Sequence, residues 1–347
     1  MSIRVLIVDD SALIRQILTE MLSAAPGITV VGTAPDPIVA REKIRALNPD
    51  VLTLDIEMPR MDGLTFLSKV MALRPMPVLV ISTLTQKGAE AAIRAMELGA
   101  VDYVPKPLIG IADGMAALGA EIVAKVRAAA LARPRVRHAQ AAPPAMLVAD
   151  PTLSTAGRIV AIGASTGGVE ALQRMLTRLP PTSPALLITQ HMPPGFTTAF
   201  ARRLNDQCAI TVLEATDGRR VLPGHAYIAP GARHLELRRS GAHYECRVTD
   251  GPPVSGHRPS VDVLFRSVAA TLGASGFGII LTGMGRDGAE GLLEMRKAGS
   301  RTLGQNEASC LIYGMPKAAM QNGAVEAELS LERLTESIVA LQAPVAA

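Results

Sequence analysis

The sequence predicts an α/β protein built from two doubly wound parallel-sheet domains, and three observations carry that expectation. Short aliphatic runs alternate with segments of helical periodicity in both halves of the chain. The alternation stops over residues 128–155, an Ala-, Pro- and Arg-rich stretch with no hydrophobic period. At 347 residues and 48% hydrophobic content, the chain is long and apolar enough for two separate cores. The expected division is a domain over 1–127, an interdomain linker over 128–155 and a second domain over 156–347.

In the first domain the strand candidates are "IRVLIV", "ITVVGT", "DVLTLD", "PVLVIS" and "VDYVP", each followed by a helical segment. Five such units predict an open parallel sheet whose polar strand ends line one crevice. In the second domain "RIVAIGAS", "PALLITQH", "HAYIAP", "HLELRR" and "GFGIILTG" read as strands. "VEALQRMLTRL", "FTTAFARRLN", "SVDVLFRSVAATLG" and "AEGLLEMRKAG" read as helices. A three-layer α/β/α domain with a small β-hairpin near residues 226–248 follows.

Composition narrows the function. The formal net charge is only +4, aromatic residues make up 3% and Trp is absent, so a basic face interleaved with stacking rings for nucleic acid is not expected. Cys208, Cys246 and Cys310 lie far apart without Cys-x-x-Cys spacing, which argues for reduced thiols and against zinc or a disulfide frame. The first apolar run is too short for a secretory signal, and no window approaches an 18-residue apolar span. A cytoplasmic protein without direct membrane insertion is the expectation.

Asp9 and Asp10 follow the first strand and Asp55 ends the third. Three converging carboxylates repel one another, and their hard oxygen donors suit Mg²⁺. Ser82 ends the fourth strand and Lys106 the fifth, adding a hydroxyl and an ammonium that could hold the oxygens of a phosphoryl group. Any one of these acids alone reads as a solvated strand end or a cap; matching strand ends in order make a pocket. Residues 1–126 resemble a two-component receiver domain of flavodoxin-like fold. That resemblance implies phosphoryl transfer from a histidine kinase to Asp55, with Asp9 and Asp10 on Mg²⁺. Pro105 departs from the small or polar residue expected before the lysine, and Lys106–Pro107 is a candidate cis bond.

In the second domain "VAIGASTGGVE" turns from an apolar run into glycines around Ser165 and Thr166. A dinucleotide fingerprint needs glycine where Ser165 stands, and a Walker loop needs a lysine that is absent. Two readings remain: a side-chain cap for the following helix, or a nucleophile elbow whose serine sits over backbone N–H groups. The second needs a base and an acid at neighbouring strand ends. His191 ends "PALLITQH", and Asp287 lies in the glycine-rich turn after "GFGIILTG". Ser165, His191 and Asp287 thus form a candidate triad, with backbone N–H groups of Thr166 and Met284 as oxyanion donors. His257 precedes a helix and reads as a structural or substrate-edge residue, while Asp217, Asp250 and Asp262 read as turn residues or caps.

"GASTGG", "QHMPPGFTTAFARRLN", "GHRPSVDVLF", "LTGMGRDGA" and "NEASCLIYGMP" carry a second resemblance, over residues 156–345. They look like the catalytic domain of the chemotaxis response-regulator protein-glutamate methylesterases of the CheB type. The resemblance implies hydrolysis of γ-glutamyl methyl esters on chemoreceptors with release of methanol, and deamidation of particular receptor glutamines. It implies a chemoreceptor substrate, a chemotaxis histidine kinase as phosphodonor, Mg²⁺ for phosphorylation and no cofactor for ester hydrolysis. The two-domain order adds an expectation that phosphorylation of Asp55 opens a catalytic crevice otherwise covered by the receiver. A non-enzymatic regulator would need a dedicated binding surface, and no helix-turn-helix pattern follows the linker. A serine hydrolase of small esters stays open on the active-site residues alone.

Overall fold

The computed structural model describes residues 2–58, 62–83, 85–106, 115, 118–132, 146–147, 153–154, 157–341 and 343–344. The chain divides into two compact units, residues 1–140 and 141–347.

The first unit is a five-stranded parallel sheet: β1 (Ile3–Val8), β2 (Ile28–Ala34), β3 (Val51–Asp55), β4 (Val78–Thr83) and β5 (Asp102–Lys106), in the order β2-β1-β3-β4-β5. All five expected strands are present, each within a residue or so of its expected ends. Between them run α1 (Ala12–Ser23), α2 (Pro37–Leu47), α3 (Gly63–Leu73) and α4 (Gln86–Glu97), with α5 (Gly119–Leu131) after β5. Four of these helices start on side-chain caps: Ser11, Asp36, Asp62 and Thr85 each accept a backbone N–H of the first turn. The central strands are mostly apolar because both faces are covered. Val5, Leu6, Val51, Leu52, Val78 and Leu79 have no exposed surface. Helix α5 runs four residues past Arg127, as an Ala-rich run of high helix propensity allows. Pro107 lies outside the described residues, so the Lys106–Pro107 bond does too.

The second unit is a seven-stranded parallel sheet. Its strands are β6 (Ile159–Ala164), β7 (Ala185–Gln190), β8 (Thr211–Glu214), β9 (His225–Ile228), β12 (Phe277–Ile280), β13 (Arg301–Gln305) and β14 (Ala327–Leu329), in the order β14-β13-β12-β6-β7-β9-β8. Its helices are α6 (Gly168–Leu176), α7 (Phe196–Asn205), α8 (Val261–Leu272), α9 (Ala289–Lys297), α10 (Met315–Gln321) and α11 (Leu331–Val339). β6 sits at the switch point, flanked by β7 on one side and β12 on the other. Chain turns leaving these three strands therefore share one crevice at their C-terminal ends.

The hairpin is real but begins later than expected. β10 (His234–Ser240) and β11 (His243–Thr249) pair antiparallel, whereas His225–Ile228 is a parallel strand of the main sheet between β7 and β8. Burial explains the difference: Ala226, Tyr227 and Ile228 are fully buried, as an interior parallel strand requires, whereas the hairpin's far end is exposed. Ser267 Oγ accepts the Leu237 N–H at 2.8 Å and Thr271 Oγ1 donates to the Leu237 carbonyl at 3.1 Å, so the hairpin is tied to α8.

Candidate functional site

In the first unit β1, β3 and β5 bring Asp9, Asp55 and Lys106 together. Lys106 Nζ lies 2.7 Å from Asp9 Oδ2 and 2.7 Å from Asp55 Oδ2. Backbone N–H groups of Ser11 and Glu57 donate to the other oxygens of Asp9 and Asp55, at 2.9 and 3.1 Å. Asp10 is exposed beside them, and carboxylate oxygens of Asp9, Asp10 and Asp55 all lie within 4.8 Å of one another. Burial pushes the Asp55 carboxyl up to about 6, against the lowering influence of Lys106. Burial likewise raises Asp9, against the same ammonium. One lysine cannot neutralise three carboxylates, so the donor set, all hard oxygens with one open side, fits Mg²⁺. Ser82 stands at its expected strand end, but its buried hydroxyl donates to the Gly88 carbonyl at 3.0 Å rather than to the acidic cluster. The first turn of α4 approaches the strand end so closely that a Cβ on Gly88 would lie 2.2 Å from the Thr83 carbonyl, which places an acceptor over Ser82.

In the second unit the turn after β6 carries Ser165 into the crevice. The cap of α6 is Gly167, at φ +80°, with no side-chain cap bond. The N-cap position falls on this glycine and not on Ser165 or Thr166, where the cap reading put it. Ser165 N–H donates to the Thr282 carbonyl at 3.0 Å, and Thr282 Oγ1 donates to the Thr166 carbonyl at 3.0 Å. Gly283, next along, must be glycine: a Cβ there would lie 2.8 Å from Ser165 Cβ and 2.3 Å from Met315 Sδ. Gly283 therefore lies directly against the serine.

His191 follows β7, with its side chain 10% exposed. Its Nε2 is 2.8 Å from Asp287 Oδ2, while Nδ1 is buried with no hydrogen-bond partner among the described residues. Asp287 lies at the N-terminus of α8, where Val261 N–H donates to Oδ2 at 2.7 Å, and Ser260 Oγ and Asp262 N–H donate to Oδ1 at 2.8 and 3.1 Å. Burial opposes ionisation of Asp287, but the hydrogen bond and charge of His191, together with the Val261 and Ser260 donors, outweigh it and hold the carboxyl below its ordinary range. An ionised Asp287 fixes the His191 tautomer with its proton on Nε2 and its lone pair on Nδ1. No hydrogen bond joins Ser165 Oγ to His191 among the described residues; contacts of this kind commonly tighten only around substrate.

Further residues gather around these groups. His257, expected as a structural or substrate-edge residue, stacks on the His191 ring, centroids 3.8 Å apart and 11° from parallel. Ser260, not foreseen, holds Asp287, and Asp262 is a cap as expected, accepting the Gly288 and Gly291 N–H groups, but as a buried acid in the same network. Asp250 pairs with exposed Arg233, and Asp217 accepts the Val248 N–H, in keeping with turn roles. The "SGHRPSVD" motif contained His257, Ser260 and Asp262, but only the docking of α8 over the crevice reveals what they touch.

A five-stranded sheet with an acidic, lysine-closed pocket, followed by a parallel sheet with Ser, His and Asp at neighbouring strand ends, defines a class: a response regulator whose output domain is an α/β hydrolase. Comparison with known proteins gives the family. The CheB methylesterase family model matches residues 160–338, and the response regulator receiver domain matches residues 5–118. A protein-glutamate methylesterase/protein-glutamine glutaminase of Pectobacterium atrosepticum is 60% identical over 338 residues, 97% of this chain and 96% of that protein. The protein of the same description from Yersinia pestis is 59% identical over the same length. The crystal structure of the Thermotoga maritima CheB methylesterase catalytic domain is 34% identical, with a TM-score of 0.52 over 54% of this chain and 99% of that one. The chain belongs to the CheB methylesterase family.

Proposed function

We propose that this protein hydrolyses γ-glutamyl methyl esters on chemoreceptors, deamidates receptor glutamines by the same route, and is regulated by phosphorylation of Asp55. The observation that carries the catalytic reading is the Asp287 clasp on His191 Nε2, which leaves Nδ1 as the basic atom in the crevice where Ser165 sits.

In this mechanism Ser165 Oγ attacks the ester carbonyl while His191 Nδ1 takes its proton. Asp287 stabilises the imidazolium that forms. Backbone N–H groups of Thr166 and Met284 face the developing oxyanion, each contributing about 3 kcal/mol to barrier lowering when aligned. The carbon–oxygen bond to the methoxy group then breaks, and His191 returns the proton so that methanol leaves. A water molecule, deprotonated by His191, attacks the glutamyl-serine ester and releases glutamate and the free serine. With a glutamine the leaving group is ammonia, and the remaining steps are the same.

In the first unit Asp9, Asp10 and Asp55 would hold Mg²⁺, which supplies positive charge to phosphoryl oxygens when bound. Asp55 accepts the phosphoryl group from a histidine kinase, and Lys106 pairs with the product. No described helix is long and apolar enough to cross a membrane; the receptor helices addressed and the kinase both place the working site in the cytoplasm.

The deciding experiment is methanol release from membranes carrying methylated receptors, compared for the wild type and Ser165→Ala. The expected result is release by the wild type alone. Equal release by both proteins overturns the assignment.

A further inference from the structure

Gln190 is the last residue of β7 and is buried, at 3% exposure. The ladder between β6 and β7 ends at its pairing with Ala164, and beyond that pair the two strands part into the turns that carry Ser165 and His191. At the end of the ladder, where His191 N–H donates to the Ala164 carbonyl at 3.2 Å, the Gln190 side chain adds a further cross-strand tie. Its Nε2 donates to the Ser165 carbonyl at 3.0 Å and lies 3.3 Å from the His191 carbonyl as a second acceptor. Two carbonyl oxygens facing one amide group fix which end is nitrogen, because the reversed amide would oppose oxygen to oxygen.

The other end of the amide shapes the helix start. A Cβ on Gly168 would lie 2.0 Å from Gln190 Oε1 and 2.7 Å from Ala164 Cβ, so the glycine at that position answers to both side chains. Gly168 N–H in turn donates to the Ser165 carbonyl at 2.7 Å. One buried amide thus reaches the nucleophile's carbonyl, the base's carbonyl and the first residue of α6.

We propose that Gln190 is a positioning residue for ester hydrolysis, tying the backbone of the nucleophile to that of the base so that Ser165 Oγ and His191 Nδ1 stay aligned for proton transfer. It touches no substrate, and the inference rests on the Ser165–His191 reading given above. Misplacement of reacting groups by about an ångström is enough to slow a reaction about a hundredfold.

The test uses the full chain and three variants: Gln190→Met, which keeps the volume without a donor; Gln190→Glu, which keeps the shape and replaces the donor with an acceptor; and Gly168→Ala, whose methyl group displaces the amide. Two rates are measured, methanol release from methylated receptor membranes and covalent labelling of Ser165 by a fluorophosphonate, each per folded molecule after thermal melting. In all three variants kcat is expected to fall about ten- to a hundredfold with KM little changed, and labelling to slow by the same factor. Labelling of Gln190→Met at the wild-type rate overturns the proposal by reducing Gln190 to filler. Retained methanol release by Ser165→Ala overturns this proposal together with the triad, whereas the first outcome leaves the triad standing.

Discussion

Asp262 and Asp287 cap each other's helices. Asp287 accepts the N–H groups of Val261 and Asp262 at the start of α8, and Asp262 Oδ1 accepts those of Gly288, at 3.0 Å, and Gly291, at 2.7 Å, at the start of α9. The two acids differ in what else they touch: Asp287 meets His191, whereas the second oxygen of Asp262 accepts from Ser255 Oγ at 2.7 Å. Asp287→Asn puts an amide between donors and upsets the His191 tautomer, and is expected to lower kcat about 10³- to 10⁴-fold. Asp262→Asn keeps an acceptor for Gly288 and Gly291 and relieves the repulsion between the acids, so stability is expected to change by only about 1 kcal/mol. Methanol-release kinetics with thermal melting of both variants separate the two roles; a larger kcat loss in Asp262→Asn reverses them.

The pair also sets an acid response with a definite sign. Asp287 is held below its ordinary value of 3.8 despite burial, so its contribution to stability is complete above roughly pH 4 and is lost as pH falls through the folded value. Asp262 is raised, chiefly by burial, so it costs stability at neutral pH and that cost fades as it takes up a proton. The melting-temperature gap between the wild type and Asp287→Asn is therefore expected to be open at neutral pH and to shrink as pH falls below roughly 4. A gap that widens as pH falls below roughly 4 contradicts the ionised Asp287.

Much of this arrangement is legible in the chain because strand ends are written locally. The five strands of the first unit are continuous aliphatic runs, and Asp9, Asp55 and Lys106 stand where those runs stop. Ser165 and His191 are legible for the same reason. The unread strands are Thr211–Glu214, Arg301–Gln305 and Ala327–Leu329, short edge or near-edge segments in which polar residues and a glycine break the apolar signal. Ser260 and His257 owe their roles to a helix start docked against sequence-distant partners, Asp287 and His191, and no local period encodes that approach.

Asp55 and Lys106 are joined at 2.7 Å, and Asp55→Asn removes the acceptor oxygen without removing bulk. Acetyl phosphate with Mg²⁺ is expected to accelerate methanol release by the wild type and to leave Asp55→Asn at its unstimulated rate. Chelation by EDTA should abolish the stimulation and spare the unstimulated rate, since the acidic cluster that would hold the metal lies in the first unit and the proposed serine chemistry in the second. Stimulation of Asp55→Asn equal to that of the wild type sinks the regulatory reading.

Gly163, on β6 and two residues before Ser165, offers a test of how tightly the sheet supports the proposed triad. A Cβ there would lie 2.1 Å from Val261 Cγ1, and Val261 is the residue whose N–H donates to Asp287. Val261 is itself fully buried, in one apolar cluster with Ile280 and Phe265. Gly163→Ala must then push the start of α8 away from β6, an overpacking cost of about 1–3 kcal/mol. The same shift stretches the Val261–Asp287 bond, so kcat should fall along with stability. Gly163→Ala combined with Val261→Ala vacates the colliding methyl group, and is expected to recover most of kcat while staying less stable than the wild type through the lost Val261 packing. Measured kcat and melting temperature for the two single variants and the double decide the matter: a double variant as slow as Gly163→Ala shows that the helix start does not transmit the strain.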